Sequence, residues 1–235
     1  MLNTLAKSGL TGAFTMAVLI STALAQAPFD GRRFPLLSES EMTAAQKELA
    51  NNIRSGPRAS VPGSAANRAT LGSPFNVFLR SPELGDHLQK MGTYIRFKST
   101  MGARLNEFAF LITACQWTSQ YEWFAHHRLA LQAGLSPEVG AAVAEGKRPT
   151  GMKEDEEIVY NFCHELHTQK KVSDTSYKAV VDKFGEQGVM DLIAVNGPRA
   201  GVHDAERGPD ADTGWRSVAF EKIEVILSHS RSNQA

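Results

Sequence analysis

The sequence predicts an all-α protein, on three observations. Apolar residues recur at helical spacing, as at Leu84, Leu88, Met91 and Ile95, and again at Ile158, Phe162 and Leu166. Helix start signals recur too: Ser81-Pro82 and Ser136-Pro137 each place a capping residue before a proline at the first helical position. No stretch of useful length alternates apolar and polar residues, so no strand is expected.

Residues 1–25 are predicted to be a secretory signal peptide. Lys7 gives a weakly positive start, residues 10–20 are mostly apolar, and Ala23-Leu24-Ala25 offers a small-x-small cleavage site near Ala25. Thr11, Gly12 and Thr15 interrupt the short apolar run, and no other segment is long enough to cross a bilayer. The expectation is a periplasmic or secreted protein with no stable membrane span after cleavage.

Residues 26–74 read as an extended leader, one helix and a Gly/Pro-rich loop. Pro28, Gly31 and Pro35 keep the leader extended, and Ser38-x-x-Glu41 is a capping box opening a helix to about residue 52. The loop over 55–74 has no periodicity, and a loop this long is often functional. Its Arg58 and Arg68 carry guanidinium groups suited to a carboxylate, and Arg68 is a candidate substrate-binding residue. The simpler reading for both is a solvated loop arginine.

Residues 75–196 form the predicted helical domain. Helices are expected over 81–99, 104–114, 120–133, 135–146, 153–169, 173–185 and 186–195, with Gly134, Gly146 and Gly185 as stops. The 104–114 helix is apolar nearly all round, which marks a buried helix, yet it holds Glu107. A carboxylate there is either paired or shifted in pKa, and both outcomes suit a catalytic acid or base. The alternative is a Glu on an exposed edge near the helix start, where the dipole favours it. Residues 197–235 make a polar tail punctuated by Gly and Pro, with a last amphipathic piece over 218–227.

The organising stretch runs over 107–134. Ser119, Glu122 and His126 are spaced three and four apart, so on a helix they share a face. On one unbroken helix Glu107 would lie about 22 Å from Glu122. The two meet only if the helix breaks near residues 116–118 and the chain turns back. Ser119-x-x-Glu122 reads as the capping box that starts the second arm, and that reading alone accounts for both residues.

An acidic residue on a helix, a polar break, then Tyr121-Glu122-Trp123 with His126 four residues after the Glu resembles the carboxymuconolactone decarboxylase family, within the alkylhydroperoxidase D-like superfamily. The resemblance extends to the SPEL run at 81–84, GLSPE at 134–138, EGKRP at 145–149 and VSDTSY at 172–177, and covers about residues 70–196. It implies an alkylhydroperoxidase D-like helical bundle with a kinked or broken central helix pair, assembled as a trimer or hexamer. It also implies a lyase acting on a small-molecule carboxylate or lactone. Where the family continues with a Gly-Tyr-Tyr run, this chain has Gly197-Pro198-Arg199, so the tail diverges.

Superfamily relatives with peroxiredoxin activity carry a CxxC pair at the positions of Ser119 and Glu122. This chain has no cysteine there, and a thiol–disulfide cycle needs two. Cys115 and Cys163 can form a disulfide in an oxidising compartment, but two buried thiols are the simpler account. Glu107, His126 and Glu122 remain as an acid/base set, with Ser119 and Trp123 as candidate substrate-binding residues. His126 would donate a proton, Glu107 would orient it, and Glu122 would tune the field. The alternatives are a structural histidine, a catalytically silent module that binds a small acid or a partner, and the peroxiredoxin-type activity that the superfamily resemblance alone implies.

No cofactor and no metal are expected. His126 and His127 point about 100° apart on a helix, and His164-Glu165-Leu166-His167 is not a zinc pattern. With 25 basic and 25 acidic side chains the formal net charge is +0, which favours neither nucleic acid nor an anionic surface.

Overall fold

In the computed structural model the described residues form eight α-helices and three short 3-10 turns, with no strand among them. Those are residues 33–61 and 64–197. The signal peptide expected over 1–25 and the amphipathic piece expected over 218–227 lie outside them. No helix among the described residues is long and apolar enough to cross a membrane.

The N-terminal part packs its own small core. The Ser38 capping box is present but opens only a 3-10 turn over Glu39–Glu41. A second box starts α1 (Ala44–Ser55), where the Thr43 hydroxyl accepts from the Gln46 N–H and the Gln46 side chain accepts from the Thr43 N–H. Leu49 and Ile53 of α1 bury against Leu71, Leu79 and both aromatic rings of α2 (Phe75–Phe78). The loop between them is folded into two 3-10 turns, Pro57–Ser60 and Ala65–Asn67. Arg58 departs from the solvated reading, being only 5% exposed. Its guanidinium donates to the Gln89 carbonyl at 3.2 Å and to the Thr93 hydroxyl, and lies 5.5 Å from the Phe75 ring centre. A buried cation must be partnered, and these groups occupy it fully enough to make it a structural residue.

The inward face of α3 (Pro82–Lys98) differs from its predicted stripe. Gly85, Gln89, Gly92 and Ile95 are buried, whereas Leu84 is 56% exposed. The reason is close approach: a Cβ on Gly85 would sit 2.5 Å from the Phe78 carbonyl oxygen. Helix α3 therefore turns Gly85 toward α2, and Leu84 is carried outward.

The main core surrounds α4 (Gly102–Gln116), whose residues from Leu105 to Ala114 are all buried. Against it pack α5 (Gln120–Gln132), α6 (Pro137–Ala144), α7 (Glu154–Gln169) and α8 (Asp174–Asn196). Helix α8 is two helices joined at Gly185, whose φ of 70° is open to glycine and strained for other residues. Two polar clamps fix α4 within this ring. Arg104 pairs with Asp155 at 2.6 Å and with Glu156, and Glu156 is 2% exposed. Asp191 of α8 accepts from the Ser99 hydroxyl at 2.8 Å and the Thr100 N–H at 3.0 Å, holding the α3–α4 junction.

Candidate functional site

The central helix breaks where the sequence predicts, and the hydrogen bonds of the break explain its shape. The Ser119 N–H donates to the Ala114 carbonyl at 2.8 Å and the Thr118 N–H to the Cys115 carbonyl at 3.1 Å, while Thr118 has φ 53°. That pairing with a left-handed residue is a Schellman ending, which usually carries glycine at this position. Here a β-branched threonine occupies it, at a conformational cost of about 1–2 kcal/mol. Thr118→Gly is accordingly expected to raise stability by about 1 kcal/mol, read as a higher denaturant midpoint. An unchanged or lower midpoint would mean that no strain resides there.

The reversal folds α5 back along α4. Glu107 faces α5 with Phe110 one turn on, and His126 comes to meet both. Glu107 Oε2 lies 2.6 Å from His126 Nδ1, and Glu122 Oε2 lies 3.0 Å from Nε2. The imidazole also stacks on Phe110, with ring centres 4.2 Å apart at 23°. All three polar residues are buried: Glu107 is 6%, Glu122 4% and His126 6% exposed. Burial alone would push the imidazole pKa down, but the charge and hydrogen bond of Glu107, reinforced by Glu122, raise it from 6.5 to about 9. The shift favours an imidazolium held between two carboxyl groups.

Ser119 caps α5 in position but not by side chain. Its hydroxyl makes no capping hydrogen bond, so the predicted capping box with Glu122 is absent. Glu122 instead turns toward His126, four residues on, because a buried imidazolium is a stronger partner than a backbone N–H. Ser119 is 1% exposed, and its Oγ has no hydrogen-bond partner.

A cavity of about 420 Å³ is walled by the end of α4, the hinge, the first turn of α5 and the end of α6. Ser119 and Trp123 line it, together with Cys115, Thr118 and Glu145. Glu107, Glu122 and His126 do not line it. Arg68 is not brought to the site: it is exposed on the N-terminal loop, with its guanidinium beside Gly72. Phe110 and the cavity residue Glu145 have no site role in the sequence reading, and Thr118 enters it only as part of the 116–118 break. The i, i+3 spacing of Phe110 from Glu107 was the available signal.

The remaining polar residues near the site are engaged structurally. Cys115 and Cys163 are both free thiols. Cys115 donates to the Val143 carbonyl at 3.0 Å, and Cys163 accepts from the Asn196 amide at 3.2 Å. Burial raises both thiol pKa values, that of Cys163 to about 12, so neither is a ready thiolate. His127 stacks on Trp123 with ring centres 5.5 Å apart, and burial lowers its pKa. Among the described residues no group of three or more His, Cys, Asp or Glu is arranged to hold a metal ion. The cluster itself fits a metal poorly, because both nitrogens of His126 already face carboxylates. No family model, curated protein or solved structure matches the chain.

Proposed function

We propose that the protein is a carboxymuconolactone decarboxylase-like acid/base enzyme that moves a proton on a small unsaturated carboxylic acid or lactone. One observation carries this reading: a buried imidazole with Glu107 2.6 Å from one nitrogen and Glu122 3.0 Å from the other. Such a chain stores a proton away from water and can return it on demand. Decarboxylation of an unsaturated acid breaks the bond to the carboxylate carbon, releases CO₂ and leaves the electron pair in a dienolate. One proton must then reach carbon. With both ring nitrogens facing carboxyl groups, a proton leaving Nε2 passes first to Glu122, the neighbour in sequence of the cavity residue Trp123. In this scheme His126 recharges Glu122, and Glu107 holds the ring in register.

The cavity beside Ser119 and Trp123 is the proposed substrate pocket, and its volume falls within the range typical of small-molecule sites. The same proposal places the protein in a periplasm-like space on the character of residues 1–25, and in a trimer or hexamer on the family resemblance. The test is deuterium incorporation at a substrate carbon in D₂O, across a panel of small unsaturated acids and lactones. Wild type should exchange and His126→Ala should not. No exchange with any member of the panel by wild type would refute the reading.

A second reading, a module that binds without turnover, is favoured by one observation. None of Glu107, Glu122 and His126 lines the cavity. Saturable binding with no exchange would select it.

A further inference from the structure

We propose that the cavity at the hinge is a covalent modification site, where the Cys115 thiol adds to small conjugated carbonyl compounds and Ser119 binds their carbonyl oxygen. The inference uses the cavity as a binding space and does not depend on the proton chemistry proposed above. Two unlike groups share its wall. Cys115, a free and partly exposed thiol at the end of α4, lines it. Ser119, four residues on and across the break, lines it too; it is 1% exposed, and its hydroxyl has no hydrogen-bond partner. A buried hydroxyl left unmatched is costly, so this one marks where a ligand's acceptor belongs. The break ties the two backbones together: the Thr118 N–H donates to the Cys115 carbonyl at 3.1 Å and the Ser119 N–H to the Ala114 carbonyl at 2.8 Å.

The sulfur is held rather than activated. Its S–H donates to the Val143 carbonyl at 3.0 Å. Burial raises its pKa, and a hydrogen bond with the Gly146 backbone offsets only part of that rise. Such a thiol reacts slowly with reagents met by collision. A ligand retained in the cavity is different, because holding two reactants together replaces a bimolecular encounter. Reaction at Cys115 therefore selects for molecules that the wall keeps. Ala114, Trp123 and Ala144 give apolar surface for a carbon ring, and Ser119 gives a donor for the oxygen. The addition balances without a co-reactant. Sulfur bonds to the β carbon, the π pair moves to the carbonyl oxygen that Ser119 holds, and the thiol proton ends on the α carbon. Cys163 is an internal control, since it is 0% exposed and does not line the cavity.

The experiment treats the full-length protein at pH 7 with cyclohex-2-enone and follows it by intact mass and peptide mapping. Wild type should gain one adduct, at Cys115 and not at Cys163, with a rate that saturates as the enone concentration rises. Ser119→Ala should lower that rate at least fivefold, yet react at the wild-type rate with methyl methanethiosulfonate, a neutral thiol reagent with no carbonyl. The second reagent separates loss of the donor from misfolding. An unmodified Cys115 overturns the inference, as does equal labelling of Cys163 or an equal effect of Ser119→Ala on both reagents. The two proposals fail separately. An adduct that forms as expected but leaves deuterium exchange untouched keeps the inference and removes this cavity from the proposed chemistry. Deuterium exchange by a protein whose Cys115 never reacts does the reverse.

Discussion

Glu107→Gln is expected to lower the rate of substrate proton exchange by about 10²–10⁴-fold while leaving the helical content intact. The substitution keeps shape and hydrogen-bonding capacity but removes the charge beside His126 Nδ1. Glu107 is the first of the groups that hold the proton on the ring against burial, which by itself favours the neutral form. Without it the imidazole pKa falls back toward 6.5 or below, and the ring no longer stores a proton at pH 7 to pass to Glu122. A steady-state assay with far-ultraviolet circular dichroism as the folding control decides the point. Wild-type rates in a folded Glu107→Gln would remove the carboxylate from the mechanism.

Arg104→Met is expected to cost about 3–5 kcal/mol of stability, the largest loss predicted for a single polar side chain in this fold. Arg104 ties the start of α4 to the start of α7 through Asp155 at 2.6 Å and Glu156. Methionine fills the space but leaves Glu156, 2% exposed, without its cation. The Lys153 N–H still donates to Glu156 at 2.8 Å, but one neutral donor is poor compensation for a buried charge. Because Glu107 lies three residues after Arg104, loosening this clamp also frees the helix that aims the carboxylate. Urea denaturation with an unchanged slope and a lower midpoint is the expected signature. A loss below about 1 kcal/mol would show that Glu156 is resolvated.

How much of this was legible in the sequence depended on whether the signal was local. The Ser-Pro starts, the Gly185 stop and the all-round apolarity of α4 are local, and the helices lie close to where they were predicted. The hinge was legible as a polar interruption, although its left-handed threonine was not, since no residue type there announces a positive φ. The capping box at Ser119 misled because the same Glu122 satisfies two patterns, Ser-x-x-Glu and Glu-x-x-x-His. Only the tertiary approach of Glu107 decides which partner wins. Leu84 was misplaced for a similar reason: the α2–α3 contact is made by Gly85, and a pattern of large residues cannot register a face built from small ones. Arg58 looked like a loop arginine because its partners, Gln89 and Thr93, lie more than thirty residues away. The cavity was invisible, since its walls come from the ends of α4 and α6 and from the hinge between α4 and α5.

The same electrostatics set the response to pH. His126 has a raised pKa in the folded protein, so its contribution to stability is full below its ordinary value of 6.5 and is lost as pH rises through about 9. The full contribution is on the order of 3 kcal/mol. Stability should therefore decline between those pH values, and the decline should be absent in His126→Gln.

The most direct measurement is an NMR titration of the His126 imidazole, identified by the resonance that His126→Gln removes. A titration midpoint near pH 9, falling by more than one unit in Glu107→Gln, is the predicted result. A midpoint at or below 6.5 in wild type would mean a neutral ring at working pH and would contradict the account of a proton held between two carboxylates.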